Sequence, residues 1–173
     1  MGLTIYYLIR HWADVISGTA LSEWLQDNLW VIPTSQSIHI LCLSVVFASA
    51  AVISTRVLGL GMGGRSVSQL VATLVPWMYR ALIGLLATGA IQTIAEPLRQ
   101  FVAPVFWWKM LMIVCVVIMT VWFTRQVRTQ AGAWDVAGRT PNSARAFALV
   151  SLCLWTGIIF CGRFIGYTYQ AHL

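Results

Sequence analysis

Ionisable side chains are so scarce in this sequence, 9% of 173 residues, that each can be considered alone. Four fall at the borders of apolar stretches: His39, Glu96, Lys109 and Arg163. If alternating helices bring them to one leaflet, cations outnumber the single carboxylate, and ionisable groups facing a bundle interior usually mark a site. Such a pocket suits an anion: a haem propionate, a quinone head group as it gains charge, or a lipid phosphate. Ser35, Gln92 and Tyr167 are expected at similar depth. The competing expectation is that Lys109 and Arg163 snorkel to headgroups while His39 caps a helix end.

His39 is also the one histidine inside an apolar stretch, since His11 and His172 lie near the termini. A b-type haem would therefore need His11 or His172, a methionine such as Met110 or Met112, or another subunit's histidine as its second axial ligand. Copper held by His39 with methionine or cysteine is chemically reasonable as well. Arg80 stands apart, four residues after Pro76 and well inside an apolar stretch, where a cation is costly unless paired, hydrated or snorkelling. Gly59, Gly61 and Gly64 fit G-x-G-x-x-G, but no strand precedes them, so they are read as a turn. No Ser/His/Asp or Cys/His arrangement, carboxylate pair or His-rich motif appears. Hydrolytic catalysis is not expected, and a non-catalytic subunit fits better.

The elements that must position these residues are helices. Apolar residues make up 59% of the chain, and a soluble domain would carry roughly 25% charged residues. Four stretches, at about 37–58, 70–95, 106–124 and 146–167, reach the ~20 residues needed to cross a ~30 Å hydrocarbon core. Backbone polar groups cannot be left open in lipid, and the apolar runs are continuous rather than alternating, which favours helices over a barrel. Residues 1–34 form a separate segment that lacks the features of a cleavable signal. Within it Leu21, Trp24, Leu25 and Leu29 repeat at helical spacing opposite Glu23, Gln26 and Asp27, predicting an amphipathic interfacial helix ended by Ile32 and Pro33. Residues 35–173 form the four-helix bundle.

The net charge of +6 comes from 11 Lys+Arg against 5 Asp+Glu, and these cations form no basic run that would track nucleic-acid phosphates. They read as topology signals instead. Arg56, Arg65, Arg125, Arg128, Arg139 and Arg145 flank the odd-numbered connections, and only Arg10 and Arg99 lie on the other side. This places the arginine-rich loops in the cytoplasm and both termini in the periplasm of a multi-pass bacterial inner-membrane protein. Cys42, Cys115, Cys153 and Cys161 form no C-x-x-C pair and are expected to be small buried residues.

Several runs carry a family resemblance: Ser37-Ile38-His39-Ile40-Leu41, Thr55 to Gly59, Val75-Pro76-Trp77, Thr88-Gly89, Trp108-Lys109-Met110 and Gly162 to Gly166. Over about residues 20–168 the chain resembles an uncharacterised family of small bacterial four-helix inner-membrane proteins. That family is similar in outline to copper-resistance D-type and cytochrome-b-type membrane domains. The resemblance implies redox or copper handling in the envelope.

The function expected is an anchor or accessory subunit of an envelope electron-transfer complex, contacting quinone or haem through His39, Glu96, Lys109 and Arg163. Its partners would be membrane lipids, a bound phospholipid among them, and other membrane or periplasmic subunits. The alternatives are a small transporter or copper-handling protein using Arg80, and a structural lipid-binding protein without a redox role.

Overall fold

The computed structural model describes the backbone of residues 2–61, 64–136 and 141–170, and the side chains of residues 4, 6–61, 64–130 and 141–165. Arg139, His172 and the Tyr167 side chain lie outside the described residues. The described residues form seven helices and no strand: α1 (Gly2–Ser17), α2 (Ala20–Asp27), α3 (Val31–Leu58), α4 (Val67–Ala95), α5 (Pro97–Phe101), α6 (Pro104–Val136) and α7 (Asn142–Gln170).

Four of them are long and apolar enough to cross a bilayer: Val31–Leu58, Val67–Ala95, Pro104–Gln130 and Asn142–Ile165, with mean hydropathies of 2.1, 1.7, 2.1 and 1.9. No more than 28% of each span's most apolar window is buried within the protein. Most of that surface therefore faces outward, where only lipid tails or another apolar protein surface could cover it. This is a multi-pass membrane protein.

The helices begin and end where local chemistry dictates, and this shifts several expected borders. The first span starts at Val31 rather than near residue 37, because Pro33 sits in the first turn, where a missing N–H costs nothing. The polar stretch that follows is absorbed into the helix: Ser37 Oγ donates to the Pro33 carbonyl at 2.9 Å, and Ser35 turns inward. Pro33 thus opens a spanning helix rather than ending the amphipathic one, which stops at Asp27, and the border expected at residue 34 falls inside α3.

At the other end of α3, Gly59 adopts φ 79°, a left-handed conformation suited to glycine. Its N–H donates to the Arg56 carbonyl, and the Leu60 N–H reaches back to Thr55 at 2.9 Å. The glycine motif is thus a helix stop and turn. Ser66 then opens α4 with a capping box closed by Gln69. The helix of the third span, α6, runs on from Pro104 to Val136, with a break in helical geometry at Gln130. Arg125 and Arg128, expected in a loop, are on α6 because the helix outruns its apolar segment.

The spanning helices close a ring in which α3 packs on α4 and α7, and α6 packs on α7 and α4. Val46, Val57, Val75, Val116, Val127 and Trp155 are almost wholly buried at its centre. Small residues set the closest approach. A Cβ on Gly84 would meet Cys42 Sγ at 2.7 Å, and one on Gly157 would meet the Met112 sulfur at 3.1 Å. Phe123 of α6 stacks on Phe147 of α7 with ring centroids 4.2 Å apart. Cys115 and Cys153 are exposed on the bundle's outer surface, and Cys42 and Cys161 are partly buried. The expected burial is therefore not met inside the protein for Cys115 and Cys153.

The short helices gather at one end, hereafter the capped end, where α3 begins and α4 ends. There α1 packs on α5, and α2 packs on α4 and α3. Ser22 Oγ fastens α2 by donating to the Ile94 carbonyl at 2.8 Å, and Gln26 Nε2 donates to Ser22 Oγ at 3.1 Å. The inward face of α2 is Ser22 and Leu25. Leu21 and Trp24 of the expected apolar face are exposed on the protein surface, where an interfacial helix would meet lipid, and Leu29 lies beyond the end of α2.

Candidate functional site

Just inside the capped end, α3, α4, α6 and α7 each contribute to one polar cluster. On α3, Ser35 and His39 are one turn apart and both face α4. Ser35 Oγ donates to the Thr88 carbonyl at 3.2 Å, and His39 Nδ1 lies 2.8 Å from Thr88 Oγ1. The direction of this second bond follows from the remaining partners of Thr88. Its hydroxyl is 2.7 Å from the Gly84 carbonyl and 3.3 Å from that of Leu85. Its single hydrogen is committed to those carbonyls, so Thr88 Oγ1 accepts from His39 Nδ1–H. On this assignment the neutral imidazole keeps its lone pair on Nε2.

Gly89 lets the ring lie close to the α4 backbone: a Cβ there would stand 3.7 Å from His39 Cε1. One turn along α4, the Gln92 Nε2 is buried without a hydrogen-bond partner. An amide N–H held so in an apolar interior costs on the order of 1–3 kcal/mol unless something accepts from it. From α6, Lys109 reaches into the bundle. Its charge is within electrostatic range of His39 and of the Cys161 thiol, and its Nζ lies 3.8 Å from where a Cβ on Gly162 would be. The cluster thus offers a lone pair from His39, an ammonium from Lys109 and an unmet amide donor from Gln92.

Of the four residues expected to converge, His39 and Lys109 lie within range of each other's charge, with no hydrogen bond between them. Glu96 is engaged elsewhere, forming a 2.7 Å ion pair with Arg99 at the corner between α4 and α5, with both side chains about a third exposed. Arg163 follows Gly162 on α7, but its side chain is exposed. Arg80 is also exposed, near the middle of α4, with its guanidinium carbon 5.0 Å from the Trp77 ring centre. A cation–π contact of this kind partly compensates a desolvated guanidinium.

Among the described residues no three His, Cys, Asp or Glu side chains converge as a metal site. Met110 is 39% exposed, and the Met112 sulfur is packed against Gly157. His11 lies on α1 beside Trp12.

Thr88 and Cys161 are members of the cluster that residue type alone does not single out. The readable signal is spacing: Ser35/His39 and Thr88/Gln92 are i,i+4 polar pairs in otherwise apolar helices, and such pairs share a face.

Compared with known families, residues 29–168 match the model of a family of unknown function, DUF6644. No curated protein and no solved structure matches the chain.

Proposed function

We propose, on the premise that this chain belongs to DUF6644, a family of unknown function, that it is a small inner-membrane subunit of an envelope electron-transfer complex. In this reading its His39–Lys109 cluster holds a quinone head group. The observation that carries it is the fixed orientation of His39, whose Nδ1–H is spent on Thr88, beside two donors. Lys109 and the unpartnered Gln92 amide can both donate to a carbonyl oxygen. His39 Nε2 can accept from a hydroxyl and hold a proton there. A quinone, when bound, supplies reversible uptake of two electrons and two protons, the electrons coming from a partner subunit.

A lipid phosphate diester would use Lys109 and Gln92 but could meet the His39 lone pair only through its attached head group, whereas a quinol carries its own hydroxyl there, so this donor and acceptor set favours the quinone. On the cation count we put the capped end on the periplasmic side, with α1, α2 and α5 along the interface. Exposed Trp12, Trp24, Trp30 and Trp107 suit a membrane interface at that end, whichever side it faces.

The test is extraction of the protein purified from its native membrane, with absorbance and mass analysis of what it releases, followed by titration with a short-chain quinone. The expected result is a stoichiometric quinone, with affinity lowered at least about tenfold in Lys109→Met, which loses a charge-assisted hydrogen bond, and in His39→Ala, which loses both the acceptor and the ring's contact with the head group. A released phospholipid with no quinone binding, or a Soret band from bound haem, would overturn the reading.

A further inference from the structure

A second polar feature lies in the opposite half of the bundle, away from His39. A cavity of about 20 Å³ lies between the four spans. Its apolar wall includes Val75 and Met78 of α4 and the stacked Phe123 and Phe147. Four hydroxyl residues complete it: Ser54 from α3, Thr120 and Thr124 from α6, and Ser151 from α7. Ser54, Thr124 and Ser151 are each at most 5% exposed.

Hydroxyls buried in a membrane protein are normally spent on the protein. Ser22, Ser35 and Thr88 elsewhere in this chain all donate to carbonyls. Thr120 and Thr124 do so too, donating to the Val116 and Thr120 carbonyls, both at 2.7 Å. Their oxygen lone pairs therefore remain available at the cavity. Ser54 and Ser151 bring hydroxyls from two further helices to the same space.

We propose that this cavity is a binding site for internal water, which bridges Ser54, Ser151 and the threonine oxygens and joins α3, α6 and α7. The volume exceeds the roughly 10–15 Å³ that one water needs, and the wall provides the two to four polar partners that hold one. The lining residues include no charged side chain. A cation there would be uncompensated in a low-dielectric interior, which leaves a small neutral hydrogen-bonding molecule. Water as donor matches the threonine oxygens, which can only accept, and the serines can take either role.

The test is a double-mutant cycle on the full chain in bicelles, measuring the unfolding equilibrium constant of wild type, Ser54→Ala, Ser151→Ala and the double variant. Bridging water makes the serines interdependent. Each single change is expected to lower the constant about threefold, the typical worth of an interhelical polar contact in a membrane. The double variant should lose about the same threefold, because either change already breaks the bridge. A dry cavity gives single variants as stable as wild type or more so, and independent effects that multiply in the double variant also overturn the proposal. A map that resolves ordered solvent should show density between Ser54 and Ser151 in wild type and none in the double variant; an empty wild-type cavity counts against the bridge. Quinone titration at the His39 cluster is unaffected in either case, so the two proposals fail separately.

Discussion

The two halves of the bundle contain comparable numbers of buried polar groups but dispose of them differently. At the capped end, Ser22 satisfies the Ile94 carbonyl, Ser35 satisfies Thr88, and Thr88 orients His39. These bonds run between helices and leave over a histidine lone pair, a lysine ammonium and an amide donor. At the arginine-rich end the threonine hydroxyls bond within their own helix, and the remaining capacity faces a small cavity between uncharged residues. Where hydrogen bonds cross between helices they fix side-chain direction, as at His39; where they stay local they leave oxygen lone pairs facing the space between the spans. The cluster holds an ionisable histidine and lysine, whereas the cavity is lined by uncharged residues although arginines flank that end of the bundle.

The sharpest way to break this contrast is to remove the group that defines it. His39→Ala should lower the affinity for a short-chain quinone at least about tenfold while leaving thermal stability within about 1 kcal/mol of wild type, since the residue is only partly buried. Equal affinity in the two proteins would erase the distinction between the halves.

Thr88→Val tests whether orientation rather than mere presence of His39 matters. Releasing the imidazole should weaken quinone binding by about two- to tenfold, the worth of one neutral hydrogen bond. Unchanged affinity would mean the ring finds its pose without Thr88.

Close packing between α3 and α4 supports both halves. Gly84→Ala forces its new Cβ onto Cys42 Sγ and is expected to cost about 1–3 kcal/mol, read from a denaturation midpoint. Adding Cys42→Ala should restore most of the loss, whereas a loss that Cys42→Ala does not relieve would place the strain elsewhere.

Ser22→Ala should loosen α2 from the bundle by about 1 kcal/mol, seen as faster amide hydrogen exchange across Ala20–Asp27 with little change in the spans. The smallest effect belongs to Glu96→Gln. An exposed i,i+3 ion pair with Arg99 contributes roughly 0–1 kcal/mol, and quinone affinity should not move. A large loss of affinity would return Glu96 to the site.

How much could be read in advance differed by element. The four spans were legible because continuous apolar runs have one stable solution in lipid. Their ends were less so: Pro33 reads as a stop until it is placed in a first turn, and α6 continues past its apolar segment through Arg125 and Arg128. The helices α1 and α5 were not anticipated, since a short run such as Leu3 to Ile9 or Pro97–Phe101 shows no sustained period. For the site, depth was readable and direction was not. His39, Glu96, Lys109 and Arg163 are all near span borders, but only the rotation of each helix decides which pair meets. Glu96 has Arg99 three residues away, and the Arg163 side chain is exposed.

The sequence alone determined that this chain lives in a membrane, because 9% charged residues cannot clothe a surface in water, and it determined where the chain crosses, because hydrocarbon thickness sets helix length. Helix rotation and packing, which depend on contacts between distant residues such as Gly84 with Cys42 and His39 with Thr88, were settled only by the tertiary structure. Those contacts turned a handful of scattered polar residues into one oriented cluster near the capped end and one small cavity in the opposite half.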